Sequence, residues 1–304
     1  MFSYNKIRLP LLSCIVLLIG ASLSVAPVLA DGAVLRAFDA PKVLPPQEAF
    51  YFPIGVTFDG TNLYYSQPTQ TVTRDTFHIT PTGTLLNTFS SISNIGALAW
   101  DGTHLWAGEF AGSKTGASCT TGVSGCAFLY EIDVSTGNVI KTVDISAVFA
   151  PDQQCSSIDG LSYDSSTGSL WVSPDVGCNF VFTNNICSFG FVYNVDTNGN
   201  LIRRIQFPFA VSGVAVTGKS LYVVDRCEGT SETKGFSFID QVTPSGQVIS
   251  RFPISQVDPN TWAESIAFDP TSFAPNCAIW AVQPYSVPNT IFAADLVAYQ
   301  IGCS

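Results

Sequence analysis

Short apolar runs separated by turn residues recur along the chain from residue 32 onward. The clearest unit spans residues 94–145, where turns and one long polar loop separate the runs GALAW, LWAGEF, FLYEIDV and VIKTVDI. These runs are rich in β-branched and aromatic residues, which are typical of strands. The pattern predicts units of four β-strands.

The unit repeats at a nearly regular interval. Its fourth run begins with a glycine in every copy, at steps of 47 to 62 residues: Gly32, Gly83, Gly137, Gly199 and Gly246. The first and second runs also have five copies each, of which GLSYD and LWVSPD are examples. Four strands at this period are typical of one blade of a β-propeller.

The two ends of the chain predict how the ring closes. The copy at 32–38 is a fourth strand without a unit of its own, and the last unit has runs at 265–269, 279–283 and 296–301 but no fourth strand. Pairing the two would close a ring, which leaves only short, protected sheet edges. We therefore predict a single all-β domain over 31–304, a five-bladed β-propeller closed by the N-terminal strand. Six blades are the alternative if 146–159 or 254–264 contain weak strands.

Residues 1–30 have the pattern of a secretory signal peptide. Lys6 and Arg8 precede the apolar run LLSCIVLLIGASLSV, and Val28-Leu29-Ala30 is typical of a cleavage site. A transmembrane anchor is the alternative, which the short run and the cleavage pattern disfavour. No later stretch is long and apolar enough to span a bilayer. We expect a secreted or cell-envelope protein, outside the cytoplasm.

Charge restricts the classes of partner. The formal net charge is −10, and charged residues make up only 12% of the chain. An acidic protein is a poor partner for nucleic acid and for anionic lipid surfaces. The expected partner is an extracellular ligand of unknown identity: a glycan, a protein, a small molecule or a cation.

Nine cysteines fit an exported protein, since disulfides persist outside the cytosol. Cys14 lies within the signal, which leaves an even number. The absence of a CxxC motif and the presence of only two histidines argue against a zinc site. From their positions in loops and turns we predict four disulfides: Cys277–Cys303 in the closing blade, Cys119–Cys126, Cys178–Cys187 and, by remainder, Cys155–Cys227.

The predicted loops divide between two faces of the ring. We call the face where each first strand begins the top face, and the opposite one the bottom face. Short turns fall at the bottom, where four aspartates are interpreted as turn formers: Asp59, Asp101, Asp164 and Asp269. Long, variable loops fall at the top. Elaborated loops on a rigid frame usually carry binding, so the top face is the predicted ligand face.

Carboxylates concentrate at the predicted top mouth of the central channel. Several oxygens converging on one point suit calcium, with Asp159, Asp225 and Glu264 as its predicted ligands. In the alternative interpretation, some of these acids cap loop amides, Asp225 pairs with Arg226 or another base, and the others are solvated. The predicted ligand-binding residues at this mouth are Glu109, Asp175, Arg226 and Trp262.

Tryptophans divide between packing and binding. Three of them hold equivalent second-strand positions and should pack between blades: Trp106, Trp171 and Trp280. Trp262 precedes Glu264 in a top loop, and the aromatic run 50–52 leads into the first blade. Aromatic rings beside acids at a channel mouth suit sugar or peptide binding.

The runs IDGLSYDSSTGSLWVSPD and VSGVAVTGKSLYVVDR resemble blades of the propeller group that includes NHL-repeat proteins, streptogramin lyases and gluconolactonase-like lactonases. The resemblance covers most of 32–302, mainly as a pattern of strands and turns, and implies a propeller. It also implies a lactonase-type cation in the channel, at positions matching Glu264, Asp159 and Asp225. Those lactonases have six blades, and their glutamate is followed by Gly-Pro where this chain has Ser265-Ile266.

Catalytic histidines are missing from the predicted mouth. His104 falls in a bottom turn and His78 in a third strand, which disfavours the lyase reaction, and no GxSxG elbow supports a serine hydrolase. A five-bladed glycosidase would need only paired carboxylates, which Asp159, Asp175 and Glu264 could supply. The sequence therefore predicts, first, a secreted binding propeller that uses its top face and, second, a calcium-dependent hydrolase or lactonase.

Overall fold

The computed structural model describes residues 31–45, 48, 51–69, 75–89, 92, 94–110, 127–152, 157–175, 189–227, 236–254, 262–287 and 291–303. These residues form five antiparallel sheets of four strands each and one short helix. The five sheets are the blades of a β-propeller.

The strands follow the chain in blade order. The first, β1 (Val34–Asp39), precedes blade 1, which comprises β2 (Val56–Phe58), β3 (Leu63–Ser66), β4 (Thr76–Ile79) and β5 (Leu85–Phe89). Blade 2 comprises β6 (Ile95–Trp100), β7 (Leu105–Glu109), β8 (Phe128–Asp133) and β9 (Asn138–Asp144). Helix α1 (Ser146–Phe149) and a 3-10 turn, Ala150–Asp152, follow. Blade 3 comprises β10 (Ile158–Asp164), β11 (Ser169–Pro174), β12 (Gly190–Asp196) and β13 (Leu201–Phe207). Blade 4 comprises β14 (Val211–Thr217), β15 (Ser220–Cys227), β16 (Phe236–Val242) and β17 (Val248–Pro253). Blade 5 contains β18 (Ile266–Asp269), β19 (Cys277–Val287) and β20 (Ile291–Ile301).

The N-terminal strand closes the ring. Strand β1 pairs antiparallel with β20, with Ala37 opposite Val297, and the fifth sheet has the order β1-β20-β19-β18. The predicted five-bladed propeller and its closure are therefore confirmed. The stretch proposed as a weak extra strand at 146–159 begins instead with α1 and the 3-10 turn. Part of the other stretch, 255–261, lies outside the described residues.

Glycines allow the first strands to pack closely around the channel. A Cβ added at Gly55 would lie 2.1 Å from the carbonyl oxygen of Gly96, and one at Gly96 would lie 2.6 Å from that of Ile158. Gly160 and Gly213 approach the next first strand in the same way. Any side chain at these positions would collide with backbone, so the narrow five-bladed ring requires glycine there.

Serine hydroxyls join neighbouring blades beside this ring of glycines. The Ser66 hydroxyl donates to the carbonyl oxygen of Gly96 at 2.5 Å, and that of Ser173 donates to the carbonyl oxygen of Ser212 at 2.6 Å. Ser212 continues the pattern by donating to Ala263 at 2.9 Å. These buried bonds satisfy backbone carbonyls that face away from their own sheet.

The bottom turns are built as predicted. Asp101 Oδ1 accepts hydrogen bonds from the backbone amides of Thr103 and His104, at 2.8 and 2.7 Å, and Asp59 caps its turn in the same way. The three second-strand tryptophans pack between blades, as expected from their equivalent positions: Trp106 against blade 3, Trp171 against blade 4 and Trp280 against blade 1.

A disulfide joins Cys277 to Cys303 in the closing blade, as predicted. Cys119, Cys126, Cys155, Cys178 and Cys187 lie outside the described residues, as does the side chain of Cys227. The other three pairings stay predictions.

Replacing both Cys277 and Cys303 by serine is expected to lower the free energy of unfolding by about 3 kcal/mol. The bond spans 26 residues, so its loss frees the chain end that carries β20, the partner of β1. Urea unfolding at constant pH measures the change. A loss below about 1 kcal/mol would show that strand pairing alone closes the ring.

No helix among the described residues is long and apolar enough to cross a membrane. Residues 1–30 lie outside those residues, so the signal peptide stays a prediction.

Candidate ligand site at the channel mouth

Three charged side chains are buried where the first strands of blades 3 to 5 begin. Asp159 is the second residue of β10, Glu264 lies just before β18, and Arg226 is near the end of β15. Their exposed fractions are 1%, 1% and 7%. Charged side chains are seldom buried to this extent unless they are paired, so their partners decide what the site can do.

Glu264 has a partner for each carboxylate oxygen. Oε2 accepts a hydrogen bond from Arg226 Nη1 at 2.8 Å, and Oε1 accepts one from Trp262 Nε1 at 2.5 Å. The Arg226 guanidinium also lies 5.3 Å from the centre of the Trp262 ring. A buried ion pair is tolerated when further hydrogen bonds complete it, so this trio forms one fixed unit.

Asp159 differs from Glu264 because its polar neighbour is another acid, Asp175, whose side chain can share a hydrogen bond with it only when one of the two carboxyl groups holds a proton. Neither of its carboxylate oxygens accepts a hydrogen bond in the part of the chain that the structure describes. Burial, together with the nearby charges of Asp175 and Glu264, raises the Asp159 pKa well above its ordinary value, although Arg226 opposes the shift. We therefore expect Asp159 to retain its proton at a pH where an ordinary aspartate is ionised.

Tyr51 belongs to the same cluster. Burial and the neighbouring Glu264 carboxylate raise its pKa above the ordinary value. Its ring lies 5.1 Å from that of Phe110 and 5.2 Å from that of Phe52, which in turn lies 5.7 Å from Trp262. A row of four aromatic rings thus accompanies the acids.

Gln67 holds the segment that brings Tyr51 to the mouth. Its Nε2 donates to the carbonyl oxygen of Tyr51 at 3.0 Å, and its Oε1 accepts from the backbone amide of Leu44 at 2.8 Å. Gln67 and Leu44 are both buried. The long connection from β1 to blade 1 is therefore anchored to the end of β3.

Asp225 is not part of this cluster's hydrogen-bond network. Its Oδ2 accepts a hydrogen bond from Arg251 Nη2 at 2.6 Å, and the same guanidinium binds Asp240 across β16 and β17. Burial raises the Asp225 pKa to about 6, although Arg251 opposes the shift. Neighbouring residues on a strand point to opposite faces, so Arg226 reaches Glu264 while Asp225 reaches Arg251.

Glu109 and Asp175 occupy different surroundings. Glu109 Oε2 accepts a hydrogen bond from Tyr130 on the adjacent strand β8 at 3.0 Å, and burial raises the Glu109 pKa to about 7. Asp175 follows β11 directly, and its charge acts on both Asp159 and Tyr51. The described mouth cluster therefore comprises Asp159, Asp175, Arg226, Glu264, Trp262 and Tyr51.

Basic and aromatic side chains already engage two of the three predicted cation ligands. Among the described residues, both oxygens of Asp159 and Oδ1 of Asp225 accept no hydrogen bond. Glu264 uses both oxygens for Arg226 and Trp262, and Asp225 is paired with Arg251. Calcium at this mouth stays a prediction of the sequence.

Comparison with known proteins yields distant structural matches. No protein-family model matches the chain, and no curated protein matches it. A tail fibre of a Staphylococcus aureus phage matches 88% of the chain at 12% identity with a TM-score of 0.49. The GH43 protein BlXynB of Bacillus licheniformis matches 86% at 11% identity with a TM-score of 0.49.

BamB from Moraxella catarrhalis matches 89% of the chain at 10% identity with a TM-score of 0.35. This chain spans 53% of the phage chain, 54% of the BlXynB chain and 100% of the BamB chain. The TM-scores of these matches are below 0.5, so the matches carry no conclusion about this chain. The five sheets of the structure establish the propeller, whereas the narrower resemblance to NHL-repeat proteins, lyases and lactonases remains a resemblance.

Proposed function

We propose that this chain is a binding propeller that recognises a neutral, hydroxyl-rich ligand of the saccharide class at the top mouth of its channel. The observation that carries the proposal is Asp159, a buried carboxyl group whose oxygens accept no hydrogen bond from the described residues and which lies beside Asp175, a fixed ion pair and a row of aromatic rings. The predicted export signal and the Cys277–Cys303 bond support an extracytoplasmic setting.

A ligand hydroxyl would satisfy Asp159. A buried polar atom without a hydrogen bond costs about 1–3 kcal/mol, and a hydroxyl that donates to an Asp159 oxygen would recover part of that cost. A protonated carboxyl group both donates and accepts hydrogen bonds, as a hydroxyl does. The pairing therefore requires no charge on the ligand.

The other members of the cluster favour the same ligand class. Trp262 and Tyr51 offer flat apolar rings with a polar tip, which suits the mixed apolar and hydroxyl faces of a sugar. An anion would approach the carboxylates of Asp175 and Glu264, and Arg226 is already committed to Glu264. Like-charge repulsion thus disfavours acidic ligands.

Asp159→Ala is expected to weaken saccharide binding by about tenfold or more, because the ligand loses its buried hydrogen-bond partner. Isothermal titration against neutral, acidic and basic oligosaccharides selected on a glycan array measures the affinity. Asp133→Asn is the matched control, since Asp133 caps an exposed bottom turn and asparagine preserves that turn.

Unchanged affinity in a folded Asp159→Ala protein would overturn the proposal. So would the absence of binding to any neutral saccharide at millimolar concentration.

A hydrolase is the second candidate function, because two neighbouring acids, Asp159 and Glu264, have different electrostatic surroundings. Asp159 tends to hold a proton, whereas Glu264 faces the guanidinium of Arg226. Environments that separate two carboxyl groups in this way are typical of acid–base pairs in glycoside hydrolysis. Asp159→Asn separates the two functions: loss of turnover on glycosides with retained binding would identify an enzyme.

A further inference from the structure

A second cluster of potential ligand atoms lies at the bottom face of blade 2. His104 Nδ1 is 3.0 Å from Glu131 Oε1 and 3.5 Å from Asp101 Oδ2. All three atoms lie within 4.8 Å of one another, and no other trio of His, Cys, Asp or Glu side chains does so among the described residues. None of the three residues takes part in the mouth cluster.

The Asp101 carboxylate is held in place from both sides. Oδ1 accepts hydrogen bonds from the backbone amides of Thr103 and His104, and Oδ2 accepts one from Trp106 Nε1 at 3.0 Å. Glu131 comes from β8, where it lies opposite Trp106. Groups that hydrogen-bond a ligating carboxylate fix its orientation and raise the affinity of a metal site.

The cluster is accessible from solvent. The side chains of His104, Asp101 and Glu131 are 34%, 14% and 18% exposed. An ion could therefore reach them directly and keep a water molecule as a further ligand.

We propose that His104, Asp101 and Glu131 form a binding site for a zinc-like divalent transition-metal ion. One imidazole nitrogen and two carboxylate oxygens are donors that zinc accepts at bonds of about 2.0–2.2 Å. Such bonds in a tetrahedron place the ligand atoms ~3.3 Å apart, close to the two separations found here. The imidazole favours zinc over calcium, which prefers six to eight oxygens.

Blade 1 supplies a natural comparison. His78 Nε2 lies 3.3 Å from Asp59 Oδ2, but its ring stacks on Tyr64 with centroids 4.2 Å apart, and no third ligand among the described residues joins the pair. In the corresponding turn of blade 1, Asn62 occupies the place of His104. His104→Asn is therefore a substitution that this type of turn accepts.

The sequence argued against zinc because it has no CxxC motif and only two histidines. The missing information was the strand register, which brings Glu131 across from another strand to the turn that carries His104 and Asp101. One histidine and two acids then together supply three ligands for a zinc ion.

The test uses untagged, chelator-treated full-length mature protein and zinc chloride. Calorimetry is expected to show one zinc ion per chain, and NMR should show zinc shifting the imidazole signals of one of the two histidines. His104→Asn and Glu131→Gln should each weaken zinc binding by about tenfold or more. His78→Asn is the matched control and should bind zinc like the parent protein.

Three outcomes would overturn the site. One is the absence of zinc binding at millimolar zinc. The second is full-strength binding by folded His104→Asn, which would place the ion elsewhere, for example on cysteines. The third is an equal loss in His78→Asn, which would indicate diffuse attraction to acidic side chains. Circular dichroism of each variant establishes that it is folded. If Glu131→Gln does not fold, the zinc affinity of His104→Asn alone decides whether the site exists.

Discussion

The protein is expected to be several kcal/mol more stable at pH 5 than at pH 8. Burial raises the pKa of three carboxyl groups in the folded chain: Asp75 to about 8, Glu109 to about 7 and Asp225 to about 6. In the unfolded chain the same groups titrate near pH 4. The folded state therefore binds more protons than the unfolded state between about pH 4 and pH 8, and it loses stability as pH rises through this window.

Asp75 has the largest pKa shift of these three groups. It is fully buried, Oδ1 accepts a single side-chain hydrogen bond from Thr76 at 3.3 Å, and Oδ2 has no partner among the described residues. Each unit of pKa shift corresponds to about 1.4 kcal/mol, so its ionisation in place costs several kcal/mol. Acids whose pKa is lowered in the folded chain act in the opposite sense. Hydrogen bonds from Ser135 lower the pKa of Asp133, and hydrogen bonds from Asn200 lower that of Asp196. The stability that these bonds contribute is lost only as the pH falls below about 4.

Urea unfolding at intervals from pH 4 to pH 8 measures the pH profile. Asp75→Asn is the informative variant, because asparagine has nearly the same shape and cannot ionise. It should reduce the loss of stability between pH 5 and pH 8 and leave the part that comes from Glu109, Asp225 and Asp159, whereas Asp133→Asn should leave that range unchanged. If the free energy of unfolding of the parent protein stays level or increases from pH 5 to pH 8, the pKa values of these carboxyl groups are not raised in the folded chain.

Arg226→Met is expected to destabilise the fold by about 3–5 kcal/mol at neutral pH. The substitution keeps an unbranched apolar stem but leaves Glu264 buried without its positive partner. Saccharide binding at the mouth should fall as well, because Arg226 orients both Glu264 and Trp262. Urea unfolding and calorimetric titration measure the two effects separately.

The double variant Arg226→Met with Glu264→Gln is the control for this interpretation. Removing the negative charge together with its partner should restore much of the lost stability, and the cycle should give a coupling energy above about 1 kcal/mol. Additive effects of the two single substitutions would mean that the loss comes from packing around Trp262 and not from an unpaired charge.

Local patterns determined the architecture. The glycine that opens each fourth run and the apolar runs repeat five times, and the aspartate turns repeat four times; each is a property of residues adjacent in sequence. The orphan strand at 32–38 predicted closure with the C-terminal strand, and pairing of β1 with β20 confirms it. The Cys277–Cys303 bond followed from the same reasoning, because both cysteines belong to one blade.

The sequence also located acids near the mouth, but it did not assign their partners. Asp225 and Arg226 are adjacent, yet one binds Arg251 within blade 4 and the other binds Glu264 of the next blade. Which way a side chain points depends on the register of its strand and on the bulge at the start of β14, where the pairing shifts between Val211 and Val214. A shift of one residue would exchange the two directions.

Long-range proximity was decided by the tertiary structure alone. Tyr51 reaches the mouth because Gln67 anchors its loop, and Glu131 reaches His104 because β7 and β8 align Trp106 with Glu131. The sequence by itself determined five blades, their closure and their turns, since these depend on short-range periodicity and turn chemistry. The tertiary structure decided which charges meet, since that depends on how separate strands and blades pack against one another.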